Sequence, residues 1–126
     1  MLFWIFAALA VYLISAYSHS VFLVSRIGLE AYLGSRDNAP DDTAILGRAT
    51  RATANMAENM MIFVPLALLS FVVEGTDQAM ALLGAQIFVI GRALYLPSYL
   101  AAIPVGRSVI FTVALLGLGL MAVALV

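Results

Sequence analysis

Four long apolar runs separated by short polar breaks cover nearly all of the chain, and this pattern predicts four membrane-spanning helices at residues 2–24, 43–73, 79–100 and 108–126. Each is close to or above the roughly 20 residues that cross about 30 Å of hydrocarbon. The first run lacks the basic start and small-residue cleavage site of a signal peptide and is read as a retained span. Residues 25–42 form the one long polar segment, a loop outside the hydrocarbon with Arg26, Glu30, Arg36, Asp37, Asp41 and Asp42 around breaks at Gly34-Ser35 and Ala39-Pro40. Pro40 stops any earlier helix, and Asp42 or Thr43 offers the short oxygen side chain that caps the first free N–H groups of the next one. Run to residue 73, that second helix is about 46 Å long and overshoots the hydrocarbon, so its first two turns must project. Residues 74–77 and 103–107 read as tight turns, which make neighbouring helices antiparallel. Pro97 lacks an N–H and clashes with the preceding turn, so it predicts a kink or an early end to the third helix.

Composition turns this pattern into a class. Hydrophobic residues make up 64% of the 126 positions and charged ones 10%, against roughly 45–50% apolar in ordinary soluble domains. The expected fold is an all-α membrane protein, one four-helix antiparallel bundle over residues 1–126 with the lipid bilayer as its solvent. The absence of cysteine excludes disulfides, thiolate metal sites and a protein thiol nucleophile. A net charge of −1 with no Lys/Arg-rich run gives no reason to expect a nucleic-acid partner. All six basic residues are arginines placed around the first and third connections, so the positive-inside rule puts those connections in the cytoplasm and both termini outside. His19 is the only histidine and has no Cys, Asp or Glu at ligand spacing in its span, so no metal site is expected. It reads as a hydrogen-bonded bundle residue or, less simply, as part of a site.

The costly feature is charge carried into the second apolar run. Arg51, Asn55 and Glu58 fall within an arc of about 60° on one helix face, flanked by Arg48 and Asn59. An ionisable group at membrane depth costs at least about 2.5 kcal/mol, so the stripe must face protein or a water-filled pocket and marks a functional site. Glu58 and Arg92 lie at similar depth counted from the outer helix ends, roughly 22 Å and 20 Å, and pairing them is the cheapest arrangement the sequence offers. Such a pair is architecture as readily as chemistry. Tyr95 and Tyr99 read as site residues or as an interfacial aromatic belt, and Arg48 as a snorkelling, topology-setting side chain. Small residues at Ala49, Ala52, Ala54 and Ala57, and at Ala81, Gly84, Ala85 and Gly91, permit close helix approach and predict a homotrimer with the second helices innermost.

Arg51-Ala-x-x-Asn55-x-x-Glu58-Asn59, Arg92-x-x-Tyr95-x-x-x-Tyr99 and Arg107 after a short Pro/Gly turn resemble the MAPEG family, membrane-associated proteins of eicosanoid and glutathione metabolism that include microsomal glutathione transferases and leukotriene C synthase. The likeness covers essentially the whole chain and is closest to the bacterial branch, which implies a multi-pass protein of a bacterial inner membrane. It also implies a homotrimer that binds glutathione as co-substrate between subunits near the cytoplasmic helix ends. By that resemblance Arg51, Asn55 and Glu58, with Asn59 beside them, hold the carboxylates and amine of glutathione. Tyr95 and Tyr99, with Arg92 before them, line the same site, and Arg107 stabilises the thiolate. Thr53 stands where leukotriene C synthase has a glutamine that contributes to binding. The chemistry is sensible in its own right, because a guanidinium beside a thiol of pKa near 8.5 favours the anion that attacks an electrophile.

Three function classes follow. The first is a thiol transferase or peroxidase acting on hydrophobic small-molecule electrophiles. The second is a binding or structural member of the same fold without catalysis. The third is a small four-span transporter, which fits less well because such exporters place their carboxylate in the first span, where this chain has none. The electrophile and the physiological thiol are not legible in the residues.

Overall fold

A computed structural model describes residues 1–35 and 41–126. The expectations attached to Arg36, Asp37 and Pro40 lie outside the described residues. The elements are α1 (Leu2–Ile27), α2 (Leu29–Leu33), α3 (Ala44–Val72), α4 (Gln78–Leu100) and α5 (Pro104–Val123), with no strand among the described residues. Four of the five, all but α2, are long and apolar enough to cross a membrane, so the chain is a four-helix membrane bundle.

Local chemistry explains most of the boundaries. Thr43 caps α3, its hydroxyl accepting from the Leu46 N–H at 3.4 Å. Asp77 caps α4, its Oδ1 accepting from Ala79 and Met80 N–H at 3.0 and 2.9 Å. Gly75 takes the left-handed φ of +82° that closes the turn between them. Two expectations are corrected. The polar segment begins later than residue 25 and is partly helical, since α1 continues to Ile27 and α2 follows after Gly28 at φ +81°. The second correction concerns residues 103–107, expected as a turn: Pro104 opens α5, because its fixed φ and missing N–H suit the first helical position, and Arg107 therefore sits in the first turn of a helix. Pro97 lies within α4, which runs three residues past it and closes at Leu100.

Hydrogen bonds between helix ends establish the antiparallel order. Arg48 Nε donates to the Leu100 carbonyl at 3.1 Å, joining the start of α3 to the end of α4. The Asp77 N–H donates to the Ala124 carbonyl at 2.9 Å, joining the start of α4 to the end of α5. His19 Nε2 lies 3.5 Å from Asp42 Oδ1 beside the start of α3. This agrees with His19 as a bundle residue, and Arg48 clamps the open carbonyl end of α4 rather than only snorkelling.

The core is Met56, Met60, Phe63, Ala67, Phe88, Val89, Leu118 and Met121, with Phe63 and Phe88 stacked at 4.7 Å between centroids. Six of the eight small residues expected at a subunit interface are consumed inside the chain, while Ala54 stays exposed and Ala57 is half-buried. Ala49, Ala52, Ala81, Gly84, Ala85 and Gly91 are all buried within the single chain. A Cβ on Gly84 would lie 2.5 Å from the Gly117 carbonyl oxygen, and one on Gly117 would lie 2.6 Å from that of Gly84, so α4 and α5 touch backbone to backbone. The polar half of α1 is satisfied in the same way: the Thr53 hydroxyl donates to the carbonyl of buried Ser15 at 2.7 Å, and the Tyr32 hydroxyl to Ser20 Oγ at 3.0 Å.

Candidate functional site

The open connection ends of α3, α4 and α5 converge on a cluster of arginine and tyrosine. Arg92, only 2% exposed, donates from Nη1 to Asn55 Oδ1 at 2.9 Å and from Nε to the Met56 sulfur at 3.2 Å. Its guanidinium carbon lies 4.6 Å from the centroid of the Tyr95 ring, which in turn is 5.4 Å from the Tyr99 ring. Arg51 Nε donates to the Tyr99 hydroxyl at 3.2 Å from one side, and the Arg107 guanidinium covers the Tyr99 ring at 4.8 Å from another. Helical spacing does this: residues 92, 95 and 99 share a face of α4, and 51 and 55 share a face of α3.

Between these elements lies a cavity of about 280 Å³ lined by Asn55, Tyr95, Tyr99, Arg107, Ser108, Phe111 and Thr112. The expected residues Arg51, Asn55, Arg92, Tyr95, Tyr99 and Arg107 are thus brought together, the three arginines each by contact with one of the two tyrosines. Glu58 and Asn59 are not. Asn59 is buried and turned onto its own helix, donating to the Asn55 carbonyl at 2.7 Å. Glu58 is on the exposed face of α3. The expected Glu58–Arg92 ion pair is absent: Arg92 is held by Asn55 and Met56, and at about 100° per residue Glu58 points roughly 160° round the helix from Met56. Thr53 faces α1, so the position that departs from leukotriene C synthase is engaged in helix packing here.

Ser108, Phe111 and Thr112 were missed by sequence reasoning. Their signal is a spacing of one, four and five from Arg107, which puts 107, 108, 111 and 112 along one side of a helix, and it is visible only when Arg107 is read as helical.

Electrostatically the cluster is one-sided. Three guanidinium groups gather around two tyrosines and one asparagine, while the one ion pair among the described residues, His19 with Asp42, is elsewhere. The first turn of α5 adds the partial positive charge of a helix N-terminus. Such a site has donors and charge for an anion and has no group of metal-ligating side chains, none being found among the described residues.

A model of the MAPEG family matches residues 1–126, the whole chain. The chain belongs to the MAPEG family. No curated protein and no solved structure gave a match. Membership and the four apolar helices together make this MAPEG chain a multi-pass integral membrane protein of a glutathione-related family.

Proposed function

We propose that this MAPEG protein is a glutathione or related thiol transferase, with peroxidase-like chemistry open to the same thiolate, acting on lipophilic electrophiles. The observation that carries the reading is the cavity bearing Arg107, with Arg51 and Arg92 on its tyrosines and, among the described residues, no carboxylate paired to any of the three. Glutathione brings what such a site lacks: two carboxylates for Arg51 and Asn55, and a thiol for Arg107. With the thiol held as its anion, a sulfur lone pair forms the C–S bond and the leaving group departs with the bonding pair. Glutathione at 100 times its dissociation constant should stabilise the detergent-solubilised protein by about 2.7 kcal/mol, seen as a raised melting temperature. Arg51→Ala should remove most of that rise. A melting temperature indifferent to glutathione would refute the reading.

The assembly we propose is a homotrimer with α3 innermost, its first and third connections on the cytoplasmic side of a bacterial inner membrane. The support is the exposed stripe of α3, where Arg51, Ala54, Glu58, Met61, Pro65, Leu68 and Val72 recur at three- and four-residue steps. Left against lipid, Glu58 would cost upward of about 2.5 kcal/mol, and a neighbouring subunit together with a bound amine would cover it. Native mass measured in mild detergent should equal three chains; one or two would contradict it.

A further inference from the structure

A second concavity, between α4 and α5, shares no lining residue with the arginine–tyrosine cavity. It measures about 410 Å³, its walls are Leu83, Ile87, Ile90 and Leu94 of α4 and Val109 and Val113 of α5, and its one hydrogen-bonding side chain is Gln86. Gln86 stands eight residues into α4, about 12 Å along the axis from Gln78, which places its amide in hydrocarbon rather than among headgroups. Gln78, by contrast, donates to the Ser70 carbonyl at the end of the bundle. Other polar side chains at membrane depth also have partners inside the chain: Ser15 with Thr53, Asn55 with Arg92, Asn59 with its own helix, Thr112 with Ser108. Among the described residues the Gln86 amide has none. A primary amide left so in hydrocarbon has lost its hydrogen bonds to water and gained none in return, unlike a solvent-exposed glutamine.

We infer that this groove is a binding site for a neutral lipophile bearing a single hydroxyl or carbonyl group, which enters from the bilayer and hydrogen-bonds to Gln86. The amide both donates and accepts, so it serves either group. Charge is excluded by the walls: among the described residues no acidic or basic side chain lines the groove, and an ionised head would be buried without a counter-charge. The volume falls in the range of small-molecule clefts, about 300–1,000 Å³. The stripe that calls for cover by another subunit is on α3, and the groove is on α4 and α5. The site is independent of any thiol.

The test uses the full protein in phosphatidylcholine nanodiscs without glutathione, labelled by a long-chain alcohol carrying a diazirine and mapped by peptide mass spectrometry. Label should fall on residues 83–94 and 109–113 and be lost in Ile90→Trp, which fills the groove. Unlabelled 1-dodecanol should displace it at roughly three- to tenfold lower concentration than dodecane, the ratio expected of one net hydrogen bond. In Gln86→Leu that difference should vanish while the melting temperature holds or rises, since no bond within the chain is lost. Equal displacement by dodecanol and dodecane in the wild type would overturn the proposal, leaving the groove to bulk lipid. So would a change in native mass on Gln86→Leu, which would make the amide a subunit contact.

Discussion

Gly84→Ala and Gly117→Ala are each expected to lower the melting temperature by several degrees, and Gly84→Leu to prevent stable folding. Gly84 and Gly117 face each other across the most extensive helix contact in the bundle, and an added Cβ would come within 2.5–2.9 Å of backbone atoms on the other helix. Backbone cannot swing aside as a side-chain tip does, so α4 and α5 must separate. Overpacking of this kind costs about 1–3 kcal/mol for one methyl group and more for a branched side chain. The loss spreads, because the same approach seats Phe88, Leu118 and Met121 in the core. Gly119 supplies the control: it lies on α5, and a Cβ there meets nothing within 4 Å. Gly119→Ala should be neutral or slightly stabilising, as removing a helix glycine is. If Gly84→Ala melts with the wild type, the helices do not meet at these glycines.

The limits of hydropathy reading show in the same residues. The alternation of apolar runs and polar breaks was enough for four spans, a cap at Asp42 or Thr43 and the 74–77 turn, because each depends on neighbours within a few positions. What a helix packs against is not local. Gly84, Ala85 and Gly91 read as small residues free for another subunit, and the fold spends them on α5 and the core of its own chain. Pro104 went astray for a different reason. Proline ends one helix and starts another with the same φ, and reading Ile103 to Arg107 as a turn took Arg107 off α5 and hid the face it shares with Ser108, Phe111 and Thr112.

Depth and direction separate at the candidate site. Counting 1.5 Å per residue placed Glu58 and Arg92 at one level, and Arg92 does meet α3 close to that level. The count carries no information about rotation, which is fixed by the packing of α3 on α1 through Ser15 and Thr53 and on α4 through Met56. That rotation turns Asn55 and Met56 toward Arg92 and Glu58 outward. Arg51, Tyr95 and Tyr99 were legible, since residues three, four and seven apart on one helix share a face whatever the rotation. Their meeting across helices, Arg51 to Tyr99 and Arg107 over the same ring, follows from the antiparallel ends that Arg48 and Asp77 tie together.

Arg107→Ala should leave glutathione bound but return its thiol to ordinary acidity. Arg107 lines the cavity half-buried over Tyr99, in the first turn of α5, whereas Arg51 reaches the site from outside through the Tyr99 hydroxyl. On the proposed function, Arg51 grips a carboxylate and Arg107 faces the sulfur. A guanidinium about 4 Å from a thiolate, near the positive end of a helix, should bring the thiol from about 8.5 to about 7 or below. The sign follows from which form the charge favours: the anion is stabilised, so the bound pKa falls, and thiolate is present at neutral pH where free glutathione is mostly protonated. Ultraviolet absorbance of the thiolate, titrated at saturating glutathione, reads this directly. Wild type should titrate below the free thiol, Arg107→Ala close to it, and Arg107→Lys in between, since a lysine restores the charge without the planar fork. Arg51→Ala should titrate as the wild type once saturated, at a higher glutathione concentration. A wild-type protein that binds glutathione while the thiol titrates as it does in water would leave Arg107 without an activating role, and the transferase reading without its nucleophile.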